Sequence, residues 1–206
     1  MTDIWNLVHA ERAALADDLT GLTGEQWNTP SLCAGLTVRQ VLAHITSAAG
    51  LTPMRWMWGV IRCRFDFDKQ VTMRLAEQMG ADGAETLARF RGVVTSTTKP
   101  PLPVVAMLGE AVVHGEDIRR PLGIKRDYPV AVLTQLAEYY ASTDQVVLAK
   151  GRISGLRLVA TDGPFSTGSG PVVTGRTLAL LMAMVGRAAF LDELSGHGVV
   201  ALRATP

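Results

Sequence analysis

The sequence predicts a mainly α-helical protein, with a helical bundle over residues 1–150 and a short α/β tail over residues 151–206. Apolar side chains recur at helical spacing up to about residue 150. Beyond Gly151 the pattern changes to strand-like alternation with closely spaced turn signals. The chain of 206 residues, 48% of them hydrophobic, is long enough to bury a core. The tail of about 55 residues is too small for a large independent domain, so we expect it to pack on the bundle.

Cap residues and prolines set the predicted helix boundaries. Thr37 and Gln40 form a capping box at the start of one helix, and Asp82 with Glu85 begins another. Pro121 ends the helix that begins near residue 104. A turn-rich segment over 21–35 and a proline-rich connection over 95–103 separate helices. The predicted helices span residues 3–20, 37–49, 54–79, 82–94, 104–120 and 129–150.

The tail contains short elements of both kinds. Residues 156–160 alternate as a strand does, and Thr-Asp-Gly-Pro at 161–164 is a strong turn signal. Glycines and a proline over 168–171 mark a second loop. Residues 174–186 form an apolar helix, and residues 199–202 are predicted to form a last strand.

Charge and cysteine content exclude several classes of function. A formal net charge of +1 gives no electrostatic case for nucleic acid or an acidic membrane surface as a partner. Cys33 and Cys63 have no metal-binding or redox spacing. The amino terminus does not resemble a signal peptide, and the apolar run at 178–185 is too short to span a bilayer. We expect a cytoplasmic protein, a monomer or a homodimer.

The segment 109–120 carries the most chemistry. Glu110 and His114 are four residues apart, so their side chains lie on one face of the predicted helix. His44 lies on the flank of the apolar stripe of the 37–49 helix. If the two helices pack by their stripes, the three side chains converge in the composition of a catalytic zinc site, which leaves a fourth position open. Asp117, three residues after His114, is placed to hold the ring nitrogen that does not bind metal.

Simpler interpretations of each residue remain open on spacing alone. His44 alone is typical of a histidine at the core edge, bonded to a carbonyl. Glu110 with His114 is typical of a solvated pair, and Asp117 pairs equally well with the arginines that follow it. Cys33 is interpreted as a small packed thiol. His9 and His197 are expected at the surface.

Two longer motifs resemble those of a known family. The segment 27–45, with Pro30, Cys33, Gly35 and His44, resembles the signature of the mycothiol-dependent maleylpyruvate isomerase-like proteins, a branch of the DinB-type four-helix metalloproteins. The segment 109–123 is similar to the second signature of that branch. The tail resembles the small sterol-carrier-like segment of many members. Leu36 and Gln40 replace a tryptophan and an acidic residue of the family pattern, which affects substrate fit more than metal binding.

The resemblance implies a DinB-like bundle, a divalent metal held by His44, Glu110 and His114, and mycothiol as a cosubstrate. Zinc suits mixed imidazole and carboxylate ligands. The family's catalytic arginine aligns only loosely here, with Arg176 and Arg187 as its candidates. The expected function is a thiol transferase or an isomerase that acts on small electrophiles. The alternative is a non-catalytic small-molecule or lipid binder that uses the 178–185 helix to line a pocket.

Overall fold

The computed structural model describes residues 3–204, apart from the side chain of Asp68, and divides into two compact units. The units are Met1–Lys125 and Arg126–Pro206. Sequence composition changes later, near residue 150. The difference arises because the helix that follows Pro129 packs within the second unit rather than with the helices before it.

The first unit is built of helices. They are α1 (Ile4–Asp18), α2 (Gly24–Trp27), α3 (Val38–Gly50), α4 (Pro53–Arg62), α5 (Phe67–Gln78), α6 (Gly83–Arg91) and α7 (Val104–Arg119). Thr37 and Gln40 form the expected capping box of α3. Asp82 accepts a hydrogen bond from the Glu85 amide at the start of α6. The capping prediction is therefore confirmed for both helices.

Four of these helices form a closed bundle, in which α1 and α3 each pack against α6 and α7. The core between them is apolar and includes Leu15, Leu42, Ile45, Phe90 and Ile118, each at most 1% exposed. Helix α7 is buried around most of its circumference. The fold is thus mainly helical with a four-helix bundle, as the sequence predicts.

The 54–79 segment is two helices rather than one. Arg64 and Phe65 adopt left-handed backbone conformations, with φ of 55° and 65°, and Asp66 caps the helix that follows. The left-handed region is sparsely populated by residues other than glycine. The polar segment 62–69 interrupts the helical period in the sequence, but the left-handed turn itself is held by its surroundings and no local signal predicts it.

The second unit combines helices with a small sheet. Its elements are α8 (Val130–Ser142), β1 (Arg157–Ala160), β2 (Ser166–Gly168), β3 (Val172–Gly175), α9 (Thr177–Met184), a 3₁₀ helix (Ala188–Glu193) and α10 (Val199–Ala204). The strand order is β2-β1-β3, with β1 antiparallel to β2 and parallel to β3. Three predictions were wrong in detail. Residues 199–202 lie in a helix, and the 129–150 helix ends at Ser142. The 174–186 helix begins only at Thr177, because Thr174 and Gly175 pair with β1 as the end of β3.

Asp162, in the predicted turn after β1, caps the start of helix α9. Asp162 Oδ1 accepts hydrogen bonds from the amide and hydroxyl of Thr177, at 2.8 and 2.6 Å. Burial raises the pKa of Asp162, but these bonds and one from Arg176 outweigh it, so the pKa is lowered overall. Asp162 therefore caps α9 in its ionised form. Among residues 3–204, no helix is long and apolar enough to cross a membrane.

Candidate metal centre

The packing of α3 against α7 brings three predicted ligands together. Glu110 Oε2 lies 3.4 Å from His44 Nε2 and 3.6 Å from His114 Nε2. The two imidazole rings meet edge to face, with centroids 4.9 Å apart. All three side chains are largely buried, with exposed fractions between 13% and 23%. His44 is thus joined to a pair that lies 66 positions and more away in the sequence.

These distances fit a small divalent cation. Ligand atoms about 2.0 to 2.1 Å from a tetrahedral zinc ion lie roughly 3.3 Å from one another. The observed separations of 3.4 and 3.6 Å are close to that value. Two histidines and one carboxylate also leave a fourth coordination position for another ligand. The donor set and its spacing therefore suit zinc.

Asp117 lies directly behind His114. Its Oδ2 atom is 2.8 Å from His114 Nδ1, and its side chain is fully buried. A carboxylate at this distance favours the tautomer in which Nδ1–H donates to it, so that Nε2 keeps its lone pair. That lone pair is on the side of the ring that faces Glu110. The contact has the geometry that the sequence predicted for Asp117, and the role of Asp117 in orienting His114 stays a prediction.

The loop before α3 is tied to the same helix. The amide of Leu32 donates to the carbonyl of Asp117 at 3.1 Å. The Cys33 thiol lies within 4.8 Å of both the Asp117 carboxylate and a ring nitrogen of His114. The sequence predicts that Cys33 is a small packed thiol and not a ligand. Its position shows that the loop encloses the back of His114.

Arg12, a residue outside the predicted site, is buried near Glu110. Its guanidinium donates to the carbonyl of Ser96 at 2.9 Å, and it is 2% exposed. Burial lowers the pKa of Arg12 to about 10, and the negative charge of Glu110 partly opposes this shift. A signal for Arg12 was present in the sequence. The spacing of Val8 and Leu15 in α1 places Arg12 in the apolar stripe.

An apolar cleft opens beside the cluster. The cleft is open to solvent and its cavity volume is about 190 Å³, which is below the range usual for drug-sized ligands and suits a small molecule. His44 and Glu110 line one side, while Trp56, Phe67 and Met107 supply much of the rest. Helices α4 and α5 thus form a wall of the cleft that the sequence did not predict.

The two candidate arginines lie in the second unit. Arg176 is largely exposed and its Nε is 3.4 Å from the Asp162 carboxylate. Arg187 donates to the carbonyl of Val185 at 2.8 Å. His9 stacks on Trp5, and His197 is exposed. None of these contacts gives either arginine a catalytic role, which stays a prediction.

The fold and the cluster define a helical-bundle protein with two histidines and a glutamate gathered at a cleft. The family profile described as mycothiol maleylpyruvate isomerase N-terminal domain matches residues 8–119. Because this match covers more than half of the chain, the protein belongs to that family. The family resemblance stated from the sequence is therefore confirmed.

Solved structures support the fold over nearly the whole chain. A crystal structure of the mycothiol-dependent maleylpyruvate isomerase aligns with a TM-score of 0.68 and 15% identity, covering 94% of this chain and 91% of that chain. A histidine-to-alanine mutant of that isomerase aligns with a TM-score of 0.67 at the same identity and coverage. Comparison by sequence with curated proteins gives no match.

Proposed function

We propose that the protein is a metal-dependent enzyme that uses mycothiol as a cosubstrate and acts on a small electrophile, by isomerisation or by thiol transfer. The observation that carries the proposal is the convergence of His44, Glu110 and His114 at the edge of an apolar cleft. Membership of the mycothiol maleylpyruvate isomerase family supports the thiol and the class of reaction. Zinc is the metal that the donor set favours.

Each residue of the cluster has a distinct role in holding the cation. His44 and His114 supply neutral imidazole nitrogens, and Glu110 supplies the one negative charge among the three ligands. Asp117 fixes the tautomer and orientation of His114 through the 2.8 Å contact. Zinc held by these ligands would carry a net charge of about +1, enough to deprotonate a thiol that takes the fourth position.

The cleft favours an electrophile with an apolar body. Aromatic and aliphatic side chains line it beside His44 and Glu110. Their apolar surfaces would lower the local polarity around a bound thiolate, which strengthens the electrostatic interactions there. Attack by such a thiolate on an activated alkene would form a carbon–sulfur bond and break the π bond, whose electron pair passes to the activating carbonyl. If that electron pair returns and expels the thiolate, the outcome is isomerisation, and if the carbon takes up a proton and the adduct is retained, the outcome is transfer.

The competing proposal is a non-catalytic binder of a small molecule or lipid. In that proposal the 178–185 helix lines a pocket. The structure argues against this use of the helix, because residues 179–185 are at most 4% exposed and belong to the core of the second unit. The apolar cleft of the first unit is the feature that would serve a binder, and it adjoins the cluster.

Metal analysis followed by thiol titration tests the proposal. We expect about one zinc per chain, and a mycothiol pKa lowered by the zinc-loaded protein. His44→Ala should abolish both, whereas His197→Ala, at an exposed histidine, should leave both unchanged. Mycothiol consumed with an electrophile indicates transfer, and mycothiol recovered unchanged indicates isomerisation. Zinc binding without any effect on the thiol would favour the binder.

A further inference from the structure

Helices α4 and α5 and the turn between them carry an unusual number of exposed apolar side chains. Six that are more than half exposed are Met54, Met57, Trp58, Ile61, Phe65 and Phe67. A large apolar side chain offers on the order of 150 to 200 Å², so this surface, here named the α4–α5 face, presents roughly 550 to 750 Å². The largest apolar patch of a typical monomer is about 300 to 600 Å². An area of this size indicates an interaction surface.

The exposed side chains of α4 form a continuous stripe. At 100° per residue, Met54, Met57, Trp58 and Ile61 fall within an arc of about 100°. Gly59 and Val60 lie on the opposite side of the helix and are buried. Helix α4 therefore has one side buried in the core and a separate apolar side exposed to solvent.

Basic side chains surround this stripe. From Pro53 to Gln78 the sequence holds five basic and three acidic residues, a net charge of +2 in a chain whose total is +1. Arg62, Arg64 and Lys69 are exposed. The net charge of the whole chain does not show that basic residues are concentrated in this segment. Apolar and aromatic side chains next to exposed basic ones are the composition of helices that lie in the interface of an anionic membrane.

The α4–α5 face is continuous with the cleft. Phe67 is 55% exposed and also lines the cleft, and Val71, one turn later in α5, does the same with 42% exposed. Trp56 lines the cleft from α4. A molecule that leaves an apolar phase at this face would therefore meet the wall of the cleft without crossing a polar surface.

We propose that the α4–α5 face docks on an anionic lipid surface, from which apolar molecules enter the cleft. Charge favours this occupant over a second copy of the chain, because a symmetric dimer would bring the exposed Arg62, Arg64 and Lys69 of the two copies towards one another. The proposal goes beyond the proposed enzyme function and does not depend on metal or thiol.

Sedimentation with lipid vesicles tests the docking. We expect the metal-free protein to bind vesicles of equal parts phosphatidylglycerol and phosphatidylcholine, and to bind pure phosphatidylcholine vesicles at least tenfold more weakly. Trp58→Ser combined with Phe65→Ser should weaken binding at least tenfold, since both side chains are exposed. Arg62→Gln combined with Arg64→Gln should weaken it roughly 25-fold, because each basic residue contributes about a factor of five.

Matched controls separate this face from general stickiness. Leu148→Ser and Val200→Ser remove exposed apolar side chains of the second unit, which are 57% and 74% exposed, and should bind vesicles as the original protein does. Equal loss in these controls would overturn the proposal. Absence of binding to anionic vesicles would overturn it too. A dimer in sedimentation equilibrium that Trp58→Ser dissociates, without vesicle binding, would assign the face to self-association.

Discussion

Replacing Asp117 with asparagine tests whether the carboxylate behind His114 matters for metal binding. The substitution keeps the size of the side chain and an oxygen that accepts from Nδ1, but it removes the negative charge. The contact is short, at 2.8 Å, and the carboxylate is fully buried, so solvent does not screen its charge. A hydrogen bond to a charged group contributes about 1.5 to 3 kcal/mol, roughly twice a neutral one.

The expected loss follows from that difference. If asparagine retains about half of the interaction, affinity for zinc falls by about 0.75 to 1.5 kcal/mol, or roughly fourfold to 13-fold. Complete loss of the tautomer preference would bring the effect to as much as 100-fold, the usual upper range for such partners of ligating histidines. His114 keeps its place on α7 in either case.

Competition with a chromophoric zinc chelator measures this affinity directly. Asp17→Asn, on the exposed side of α1, is the matched control and should bind zinc as the original protein does. Thermal unfolding of the metal-free variants separates loss of fold from loss of affinity. If Asp117→Asn binds zinc within twofold of the original protein while its melting temperature is unchanged, the orienting role is refuted.

Three further substitutions test the cluster and the two units. Glu110→Gln should weaken zinc binding at least tenfold and move the titration of a zinc-bound thiol to lower pH, measured by thiol absorbance, because the centre loses one negative charge. Gly83→Ala would place a Cβ 2.2 Å from the Trp27 indole and should destabilise the fold by about 1 to 3 kcal/mol in thermal melts, whereas Gly24→Ala, with nothing within 4 Å, should not. Asp162→Ala should cost about 1 kcal/mol at neutral pH. Since the pKa of Asp162 is lowered in the fold, chemical denaturation should show this difference disappearing as pH falls through that pKa.

Much of the bundle could be predicted because its helices are long and carry local signals. The capping box of α3 and the apolar period of α1, α3 and α7 are such signals, and the structure follows them. Short elements lack such signals. Residues 199–202 are four apolar residues that suit a strand or a helix equally, and packing decides between them. Strands β2 and β3, of three and four residues, are defined by their pairing with β1.

The candidate ligands could be named from the sequence because their side chains are chemically distinctive and two of them share a helix face, and their binding of a metal stays a prediction. Glu110 and His114 are related by one helical turn, and the family signature added His44. The cleft could not be named, because it depends on a left-handed turn at Arg64 and Phe65 that places α5 beside α3. Contacts between elements that are distant in the sequence leave no signal in the local residue pattern.

Arg12 provides a positive charge that offsets the cost of burying the Glu110 carboxylate. A carboxylate that is mostly buried is costly unless an opposite charge acts on it. Arg12 supplies such a charge from α1, and its pKa is higher than burial alone would make it because Glu110 is near. Glu110, Asp117 and Arg12 together carry two negative charges and one positive charge. A divalent cation bound beside them would change this total from about −1 to about +1, so the three groups would attract a cation and the occupied site would stabilise an anion.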